Sequence, residues 1–486
     1  MVPAWIFRRL LGAIYLLAFW SLGTQIAGLV GDRGILPAHV WMTAARTWAA
    51  SQDIGLERFH LLPTLCWIST SDAFLKGLCF SGAALSLLLL AGVAPIVVLP
   101  ILWLEYLSLC VICREFLSYQ WDALLLETGL LAIGLAPLRW IDRPRGRDRP
   151  PRLAVWLMLW LLFRLILGSG LVKLASGDPT WRGLTALTYH YETQPIPTPV
   201  AFYAHQLPVV IQKLSTLATL AIELAAPFLM FGPRPMRIAA FLAMVSLQAL
   251  IAMTGNYAFF NLLAAALCVF LASARDTKDP KDTKQGHDVA DTLPHRALTL
   301  ALRAFVIALA AIVVPVSAYR FAGSAGLLLP GAAFIEPVAS FIEPFRSVNS
   351  YGLFAVMTTT RPEIIVEGSD DGERWLAYEF KYKPGDVRRP PPVVAPHQPR
   401  LDWQMWFAAL GSSREAPWFE SFCQRLLEGS PDVLRLLDRD PFGGRPPRYV
   451  RALLYQYHFA DRATHRRDGS WWTRELIGEY MRVHGS

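Results

Sequence analysis

The chain has 486 residues, of which 54% are hydrophobic and only 17% are charged, and its mean hydropathy is +0.35. One soluble core of this size would not bury so much apolar surface, so the composition excludes an ordinary soluble domain and predicts a membrane protein. The formal charge of +8 comes from basic residues in short segments between apolar runs. That distribution is typical of membrane orientation, and we predict no nucleic-acid partner.

Nine apolar runs approach the length of a membrane span. A bilayer core about 30 Å thick requires about 20 residues of apolar helix. In chain order the runs are Leu10–Val30, Lys76–Gly92, Pro95–Cys113, Trp121–Leu138, Leu153–Val172, Val209–Phe231, Arg237–Thr254, Tyr257–Ser273 and Leu300–Arg320. The second, fourth and eighth are short or carry charge. We predict a transmembrane helical bundle of eight spans over residues 1–275 and a last transmembrane helix over residues 300–320.

Basic residues predict how the chain is oriented in the membrane. If the N-terminus is cytoplasmic, nine crossings place Arg8 and Arg9, the Arg-rich loop 139–152, the turn 234–237 and the segment 275–303 on the same side. This arrangement fits the positive-inside rule, because short cytoplasmic loops carry an excess of Lys and Arg. The C-terminal part of the chain is therefore predicted to lie in the lumen or the periplasm.

Between the bundle and the last span lies the stretch RDTKDPKDTKQGHDVADT. It has low complexity and no aromatic residue, so it cannot bury enough surface to fold alone. We predict a flexible charged linker over residues 276–299.

The chain after the last span has the pattern of a soluble domain. Glu363–Gly368 and Trp375–Tyr382 are predicted strands joined by a Ser-Asp-Asp-Gly turn, and Tyr449–His458 is a further strand. The predicted helices are Trp403–Leu410, Trp418–Glu428 and Pro431–Leu437. The predicted fold class is thus a multi-pass α-helical membrane bundle with a C-terminal soluble α+β (β-rich) domain, over residues 340–486.

Several ionisable residues fall at membrane depth, where an uncompensated charge costs about 2.5 to 3.5 kcal/mol. They are Glu105, Asp122, Glu127, Arg164 and Glu223. In one interpretation they pair inside the bundle, for instance Arg164 with Glu127 or with Glu105. In the other they line a cavity that holds a lipid headgroup, a substrate or a client segment. Both interpretations require these side chains to face inward.

Lys173 ends an apolar helix in the sequence GSGLVK. A lysine near the membrane boundary commonly extends its ammonium group to water. In an apolar cavity, desolvation would instead favour the neutral amine and make it a possible base. The segment resembles the region around the essential lysine of the vitamin K-dependent carboxylase group. That resemblance implies an enzyme that uses Lys173, with Glu127 and Arg164, on a lipid-soluble cofactor or an exported peptide.

Recognisable catalytic motifs are absent from the sequence. It contains no nucleophile elbow, no Gly-rich phosphate loop and no paired metal ligands. Its six cysteines form neither a disulfide framework nor a zinc pattern. We therefore predict no metal and no cofactor.

Five separated stretches of the chain carry a second and longer resemblance. They are GDRGILPA, QWDALLLETG, SGDPTWRGLTALTYHYETQPIPTP, GNYAFFN and the block Ser350–Leu410. Together they resemble the lipase maturation factor family over most of the chain. The resemblance implies a multi-pass membrane protein of the endoplasmic reticulum, or of the inner membrane in a bacterium. It also implies a maturation (chaperone-like) factor that lies against membrane lipid and whose C-terminal domain binds secreted client proteins, lipases among them.

By the same resemblance, the client-binding candidates are aromatic, basic and acidic residues of the C-terminal domain. They are Trp375, Tyr378, Phe380, Lys383, Arg388, Arg389, Asp402, Trp403, Trp406 and Phe407. The alternative for each aromatic residue is a place in the core of the domain itself. The leading hypothesis is a non-catalytic maturation factor, the second is a carboxylase-like membrane enzyme, and a transporter is a third.

Overall fold

The computed structural model describes residues 2–144, 150–272, 293–324, 326–327 and 330–484. Helices make up the chain before residue 361. They are α1 (Val2–Gly23), α2 (Ile26–Val30), α3 (Ala38–Ser51), α4 (Glu57–Leu61), α5 (Asp72–Ala91), α6 (Pro95–Ile112), α7 (Gln120–Ile133), α8 (Arg152–Ala175), α9 (Pro179–Arg182), α10 (Ala186–Thr193), α11 (Pro199–His205), α12 (Val209–Leu229), α13 (Arg234–Thr254), α14 (Phe260–Cys268), α15 (Leu293–Ser324) and α16 (Ala332–Ile342).

Seven of these helices are long and apolar enough to cross a membrane. They are α1, α5, α6, α8, α12, α13 and, within α15, Arg296–Ser324. Each overlaps a predicted span, although the first prediction, Leu10–Val30, begins eight residues late and runs into α2. The protein is therefore an integral, multi-pass membrane protein, as the composition predicts. The predicted fold class is confirmed.

The prediction of nine membrane-length spans is wrong in two places. Among the described residues, α7 has only 14 residues, and the apolar helical stretch that begins with α14, Phe260–Ala272, is also too short to span a membrane. Both still connect the two ends of the bundle. Trp121 in the first turn of α7 and Tyr257 before α14 pack on Trp403 of the C-terminal domain, whereas Phe270 packs on Phe7 of α1. Two fewer full-length spans keep the number odd, so the predicted side of the C-terminal domain is unchanged.

Most of the predicted linker, residues 276–292, lies outside the described residues. Its last seven residues, 293–299, belong to α15 instead. The predicted last span, 300–320, lies inside this 32-residue helix. The helix therefore extends further in both directions than hydropathy alone indicates.

At the end of the bundle where α1 begins, Arg8 forms a buried ion pair and does not extend to water. Arg8 is buried and donates to both carboxylate oxygens of Asp142, at 2.8 and 2.7 Å, and to the carbonyl of Leu135 at 2.7 Å. This pairing ties the loop after α7 to the first turns of α1.

The C-terminal domain mixes short helices with a small sheet. Its helices are α17 (Arg400–Leu410), α18 (Pro417–Leu427), α19 (Pro431–Leu434) and α20 (Arg462–Asp468). Its strands are β1 (Pro362–Ser369), β2 (Leu376–Ala377), β3 (Glu379–Phe380), β4 (Leu437–Arg439), β5 (Tyr449–Phe459) and β6 (Trp472–His484). The main sheet has the antiparallel order β2-β1-β5-β6, and β3 pairs with β4.

Two predicted elements of this domain differ from the structure. The predicted strand Trp375–Tyr382 is two short strands that join different sheets, β2 beside β1 and β3 beside β4. The predicted helix Pro431–Leu437 ends at Leu434, and Leu437 begins β4. The turn before β2 forms as predicted, since Gly372 has φ +79° and the Asp371 side chain accepts the backbone N–H groups of Glu373 and Arg374.

One hydrophobic core runs through both parts of the molecule. The cluster that contains Phe7 and Leu124 of the bundle continues to Trp403, Phe419 and Val450 of the C-terminal domain. The domain is thus packed directly on one end of the bundle.

Candidate functional site

Buried polar contacts hold the C-terminal domain on the bundle in several groups, and the first is an ion pair. Arg400, the first residue of α17, lies 2.5 and 2.8 Å from the two carboxylate oxygens of Asp122 in α7. Both side chains are almost fully buried. Arg400 also donates to the carbonyl of Phe116 at 3.1 Å, and the hydroxyl of Tyr106 donates to Asp122. Each charge therefore has an opposite charge and further hydrogen bonds, which a buried pair requires.

The second group of contacts joins the start of β1 to the segment after α10. Arg361 is fully buried and donates to the carbonyls of Glu192 at 2.6 Å and Pro195 at 2.9 Å. It also pairs with Glu363 at 2.7 Å. Trp406 of α17 donates its indole N–H to the carbonyl of Thr193 at 2.9 Å. Main-chain carbonyls of the bundle are thus held by side chains of the domain.

The third group of contacts lies where the chain enters the domain. Glu127 of α7 pairs with Arg164 of α8, as predicted, and accepts the Tyr351 hydroxyl at 2.7 Å and the backbone N–H of Asn349 at 3.0 Å. Arg164 donates to the carbonyl of Asn349 at 2.9 Å. Two membrane-depth charges therefore fix the segment 349–351 between helices.

Between these contacts the junction is open, and it forms a cleft of about 830 Å³. Aromatic side chains from five parts of the chain line it. They are Tyr119 and Trp121 at the start of α7, Tyr257 before α14, Phe354 in the entering segment, Trp403, Trp406 and Phe407 on α17, and Trp418 on α18. A concave surface of this size and lining is typical of a site that binds apolar groups.

The rear wall of the cleft is a rigid set of packed rings. Trp121 and Trp403 meet edge to face with 4.7 Å between centroids, and Tyr119 stacks on Trp121 at 4.6 Å. At the mouth, Phe407 and Leu410 remain 45% and 41% exposed. Exposed apolar side chains beside a fixed aromatic wall give the cleft the composition of an interaction hot spot.

The structure separates the predicted client-binding residues into two groups. Trp403 and Trp406 line the cleft, whereas Trp375, Lys383, Arg388, Arg389 and Asp402 do not. Lys383 is buried and donates to the carbonyls of Ile364 at 3.0 Å and Pro384 at 2.9 Å. Asp402 accepts the backbone N–H groups of Tyr382 at 2.8 Å and Lys383 at 2.9 Å. Lys383 and Asp402 therefore hold the loop after β3 in place.

The remaining candidates lie at the surface of the domain. The ring of Trp375 is half-buried, with the guanidinium of Arg451 4.1 Å from its centroid. Arg389 is half-buried and donates to the carbonyl of Phe380 at 2.6 Å. Arg388 is exposed. Tyr378 and Phe380, which are buried, belong to the core of the domain. A role in client binding stays a prediction for all of these residues.

Lys173 does not extend to water, so that prediction is wrong. It is buried between α8 and α12, where its ammonium group lies 2.8 Å from each carboxylate oxygen of Glu223 and 3.1 Å from the carbonyl of Ser169. A base must have a lone pair free, whereas this ammonium donates to three acceptors. Arg164 lies nine residues earlier on α8, about 13 Å along the helix axis. The three residues of the enzyme hypothesis therefore do not form one site.

Sequence reasoning missed the partners that form the junction. Asp122 is among the membrane-depth charges, but its partner Arg400 comes from 278 residues further along the chain. A buried arginine leaves a signal only as one basic residue among apolar neighbours in QPRLDW. Tyr257 and Phe354 also line the cleft, but the tyrosine was predicted only as the start of a span and as part of the GNYAFFN motif. No group of three or more possible metal ligands occurs among the described residues.

The fold and the junction define a class: a multi-pass membrane protein whose soluble domain is fixed to one end of the bundle beside an aromatic cleft. Two family models match the chain. The model of the lipase maturation factor transmembrane domain matches residues 2–278, and that of the lipase maturation factor C-terminal domain matches residues 347–482. The chain belongs to the lipase maturation factor family.

Individual relatives agree with the family models. The chain is 39% identical to Lipase maturation factor 2 of Homo sapiens, over 99% of this chain and 82% of the relative. It is 38% identical to Lipase maturation factor 2 of Gallus gallus, over 99% and 81% of the two chains, and 34% identical to Lipase maturation factor 1 of Bos taurus, over 97% and 87%. No solved structure matches significantly. The resemblance seen in the sequence is confirmed, and none of these matches supports a carboxylase.

Proposed function

We propose that this protein is a membrane-bound maturation factor that assists the folding and assembly of secreted proteins, and that its clients are lipases. The names of its relatives and its membership of the family support the lipase assignment. The C-terminal domain faces the lumen of the endoplasmic reticulum, or the periplasm if the membrane is a bacterial inner membrane. The observation that carries the proposal is the aromatic cleft, since it offers apolar surface on the domain itself.

An unfolded or unassembled client exposes apolar side chains that its native state buries. Such a segment would bury the exposed rings and aliphatic groups at the mouth of the cleft, Phe407 and Leu410 among them. Burying apolar surface yields about 25 cal/mol per Å², so two side chains supply about 2 to 4 kcal/mol. Client binding of that strength is reversible, which a factor that must release its product requires.

The buried contacts of the junction make this binding efficient. Arg400 with Asp122, and Arg361 with the carbonyls of the segment 192–195, fix the walls of the cleft before a client arrives. A site that is already ordered loses little conformational entropy on binding. Trp403 and Trp406 then act as the rear wall, and Trp375, Arg388 and Arg389 offer separate polar and aromatic contacts on the domain surface.

The test removes the apolar mouth of the cleft without removing a buried contact. The variant Phe407→Ser with Leu410→Ser is expressed with a secreted lipase in cells that lack their own lipase maturation factor. We expect the activity of the secreted lipase to fall at least about thirtyfold, which corresponds to the loss of about 2 kcal/mol of client binding, the lower end of what these two side chains supply. The amount and the detergent-extracted size distribution of the factor itself should stay normal, because both side chains are partly exposed.

The matched control is Leu476→Ser with Ile477→Ser on β6. These two side chains are 54% and 56% exposed and lie outside the cleft. Their loss should leave lipase activity within twofold of the unchanged protein. Equal losses for the two double variants would contradict the proposal, because apolar surface in general, and not the cleft, would then be responsible.

A further inference from the structure

A second cleft, of about 450 Å³, lies beside the end of the last membrane-spanning helix. Its polar lining comes from the end of α15, from the last turn of α16 and from the segment that follows α16. The residues are Arg320, Ser340, Glu343, Arg346 and Asn349. The cleft is separate from the aromatic cleft and takes no part in the function proposed above.

Both arginines of this cleft are held only through main-chain carbonyls. Arg320 donates to the carbonyl of Val348 at 2.6 Å, and Arg346 donates to the carbonyl of Cys110 at 2.9 Å. Within the described part of the chain, no carboxylate pairs with either guanidinium within 4.0 Å. Glu343 is the acidic residue of the lining, and it is exposed. The cleft therefore has two cations against one anion, with N–H donors left to bind a ligand.

The depth of these arginines follows from two membrane-length helices, α15, which carries Arg320, and α6, whose Cys110 carbonyl accepts a hydrogen bond from Arg346. Arg320 stands four residues before the end of α15, and Cys110 is in the last turn of α6. Between α15 and the C-terminal domain lies α16. The ends of spanning helices lie at the level of the lipid headgroups. The two guanidinium groups are consequently placed where phosphates of the bilayer are found.

The helix between the two arginines carries an apolar stripe. Phe334, Val338 and Phe341 of α16 are spaced to share one face, and the two rings are 84% and 62% exposed. Phe341 stacks on His60, which brings the exposed Leu56 and Phe59 of the α4 region beside it. A helix with such a face, next to a membrane-spanning helix, fits the interface of a bilayer.

We propose that this cleft binds the headgroup phosphate of an anionic phospholipid, with the acyl chains of that lipid against the apolar face of α16. Guanidinium groups recognise phosphate through paired, charge-assisted hydrogen bonds, which suits two arginines that lack a carboxylate partner. The excess positive charge of the lining favours an anionic headgroup over a zwitterionic one. The lipid belongs to the leaflet on the side of the C-terminal domain.

The proposal is tested by native mass spectrometry of the full-length protein, delipidated in detergent and titrated with phosphatidylglycerol or with phosphatidylcholine. The unchanged protein should bind phosphatidylglycerol with an apparent affinity about thirtyfold higher than that of Arg320→Gln with Arg346→Gln, as expected for the loss of two basic residues at a membrane surface. The charge-retaining variant Arg320→Lys with Arg346→Lys should keep most of the binding. Arg374→Gln, an exposed arginine in the turn between β1 and β2, is the matched control and should have no effect.

Inorganic phosphate distinguishes a lipid site from a site for a free anion. Added phosphate at millimolar concentration should not displace phosphatidylglycerol. The double variant Phe334→Ser with Phe341→Ser should bind the lipid more weakly, whereas its affinity for inorganic phosphate should not change. Equal binding of both lipids, displacement by phosphate, or full binding by the glutamine variant would each overturn the proposal.

If the glutamine variant does not fold, the salt dependence of phosphatidylglycerol binding to the unchanged protein tests the proposal instead. Binding of phosphatidylglycerol that does not weaken between 0.05 and 0.5 M NaCl would then refute it.

Discussion

The closed and the open parts of the domain junction use opposite chemistry. In the closed part, buried charges such as Arg400 and Asp122 pair with each other and make further hydrogen bonds to the residues around them. In the open part, apolar side chains such as Phe407 pack on neighbouring rings on one side and stay partly exposed at the cleft on the other. Ion pairs are directional and fix one arrangement, whereas apolar surface accepts many partners. The polar contacts thus fix the position of the C-terminal domain on the bundle, whereas the aromatic rings provide the surface that can bind a partner.

The largest effect is expected from breaking the closed part. Arg400→Met leaves the carboxylate of Asp122 buried without its cation, and removing one partner of a buried pair costs about 3 to 5 kcal/mol. We expect little folded protein after detergent extraction, as measured by size-exclusion chromatography of a fluorescent fusion. The double variant Arg400→Met with Asp122→Leu should recover most of it, because it leaves no unpaired charge. A single variant as stable as the unchanged protein would show that the ion pair does not hold the domain.

The next effect concerns the ion pair within the bundle. Lys173→Met removes the partner of Glu223, and we expect a loss of about 3 kcal/mol in the free energy of unfolding. Adding Glu223→Gln should restore extraction yield and thermal stability, and with them lipase maturation. If the double variant folds well but does not support lipase maturation, a purely structural role of Lys173 is contradicted. The hypothesis of an enzyme that uses Lys173 would then be favoured.

Local patterns predicted the elements of this protein better than its contacts. Apolar runs located the seven long helices, and the Ser-Asp-Asp-Gly turn located the start of the sheet. The predicted length of α7 was wrong, because Gly134 and Pro137 end the helix before it reaches membrane length. The cleft could not be predicted, since its walls come from Tyr119, Tyr257 and Trp403. The positions of such residues depend on long-range packing, which no local period encodes.

A smaller effect should follow from acidification at the base of the cleft. His190 contacts Tyr257 and Phe354, which both line the cleft, and burial lowers its pKa to about 4, with the charge of Lys173 acting in the same direction. The folded state therefore favours the neutral ring. Stability is fully present above pH 6.5, the ordinary pKa in the unfolded chain, and is lost as the pH falls toward 4 because the unfolded state binds the proton first.

At pH 5.5 this histidine should cost about 1.4 kcal/mol of stability relative to pH 7.5. The melting temperature of the detergent-extracted protein, compared with that of His190→Phe at both pH values, measures the effect. The variant should lose less on acidification than the unchanged protein. Parallel losses in the two proteins would assign the pH dependence to other groups, such as His205, whose pKa burial also lowers.

The smallest effect on stability is expected for a substitution of Arg388. An effect of this substitution on client binding can therefore be measured without a change in folding. Its side chain is exposed, and its backbone N–H, which a substitution does not remove, donates to Asp386 at 2.9 Å. Arg388→Ala should therefore change the free energy of unfolding by less than about 0.5 kcal/mol. If this arginine contacts clients, crosslinking of a co-expressed lipase to the C-terminal domain should weaken about twofold to fivefold, as for an exposed charged contact of about 0.5 to 1 kcal/mol. Unchanged crosslinking would confine client binding to the cleft, because Arg388 lies outside it while Phe407 lines it.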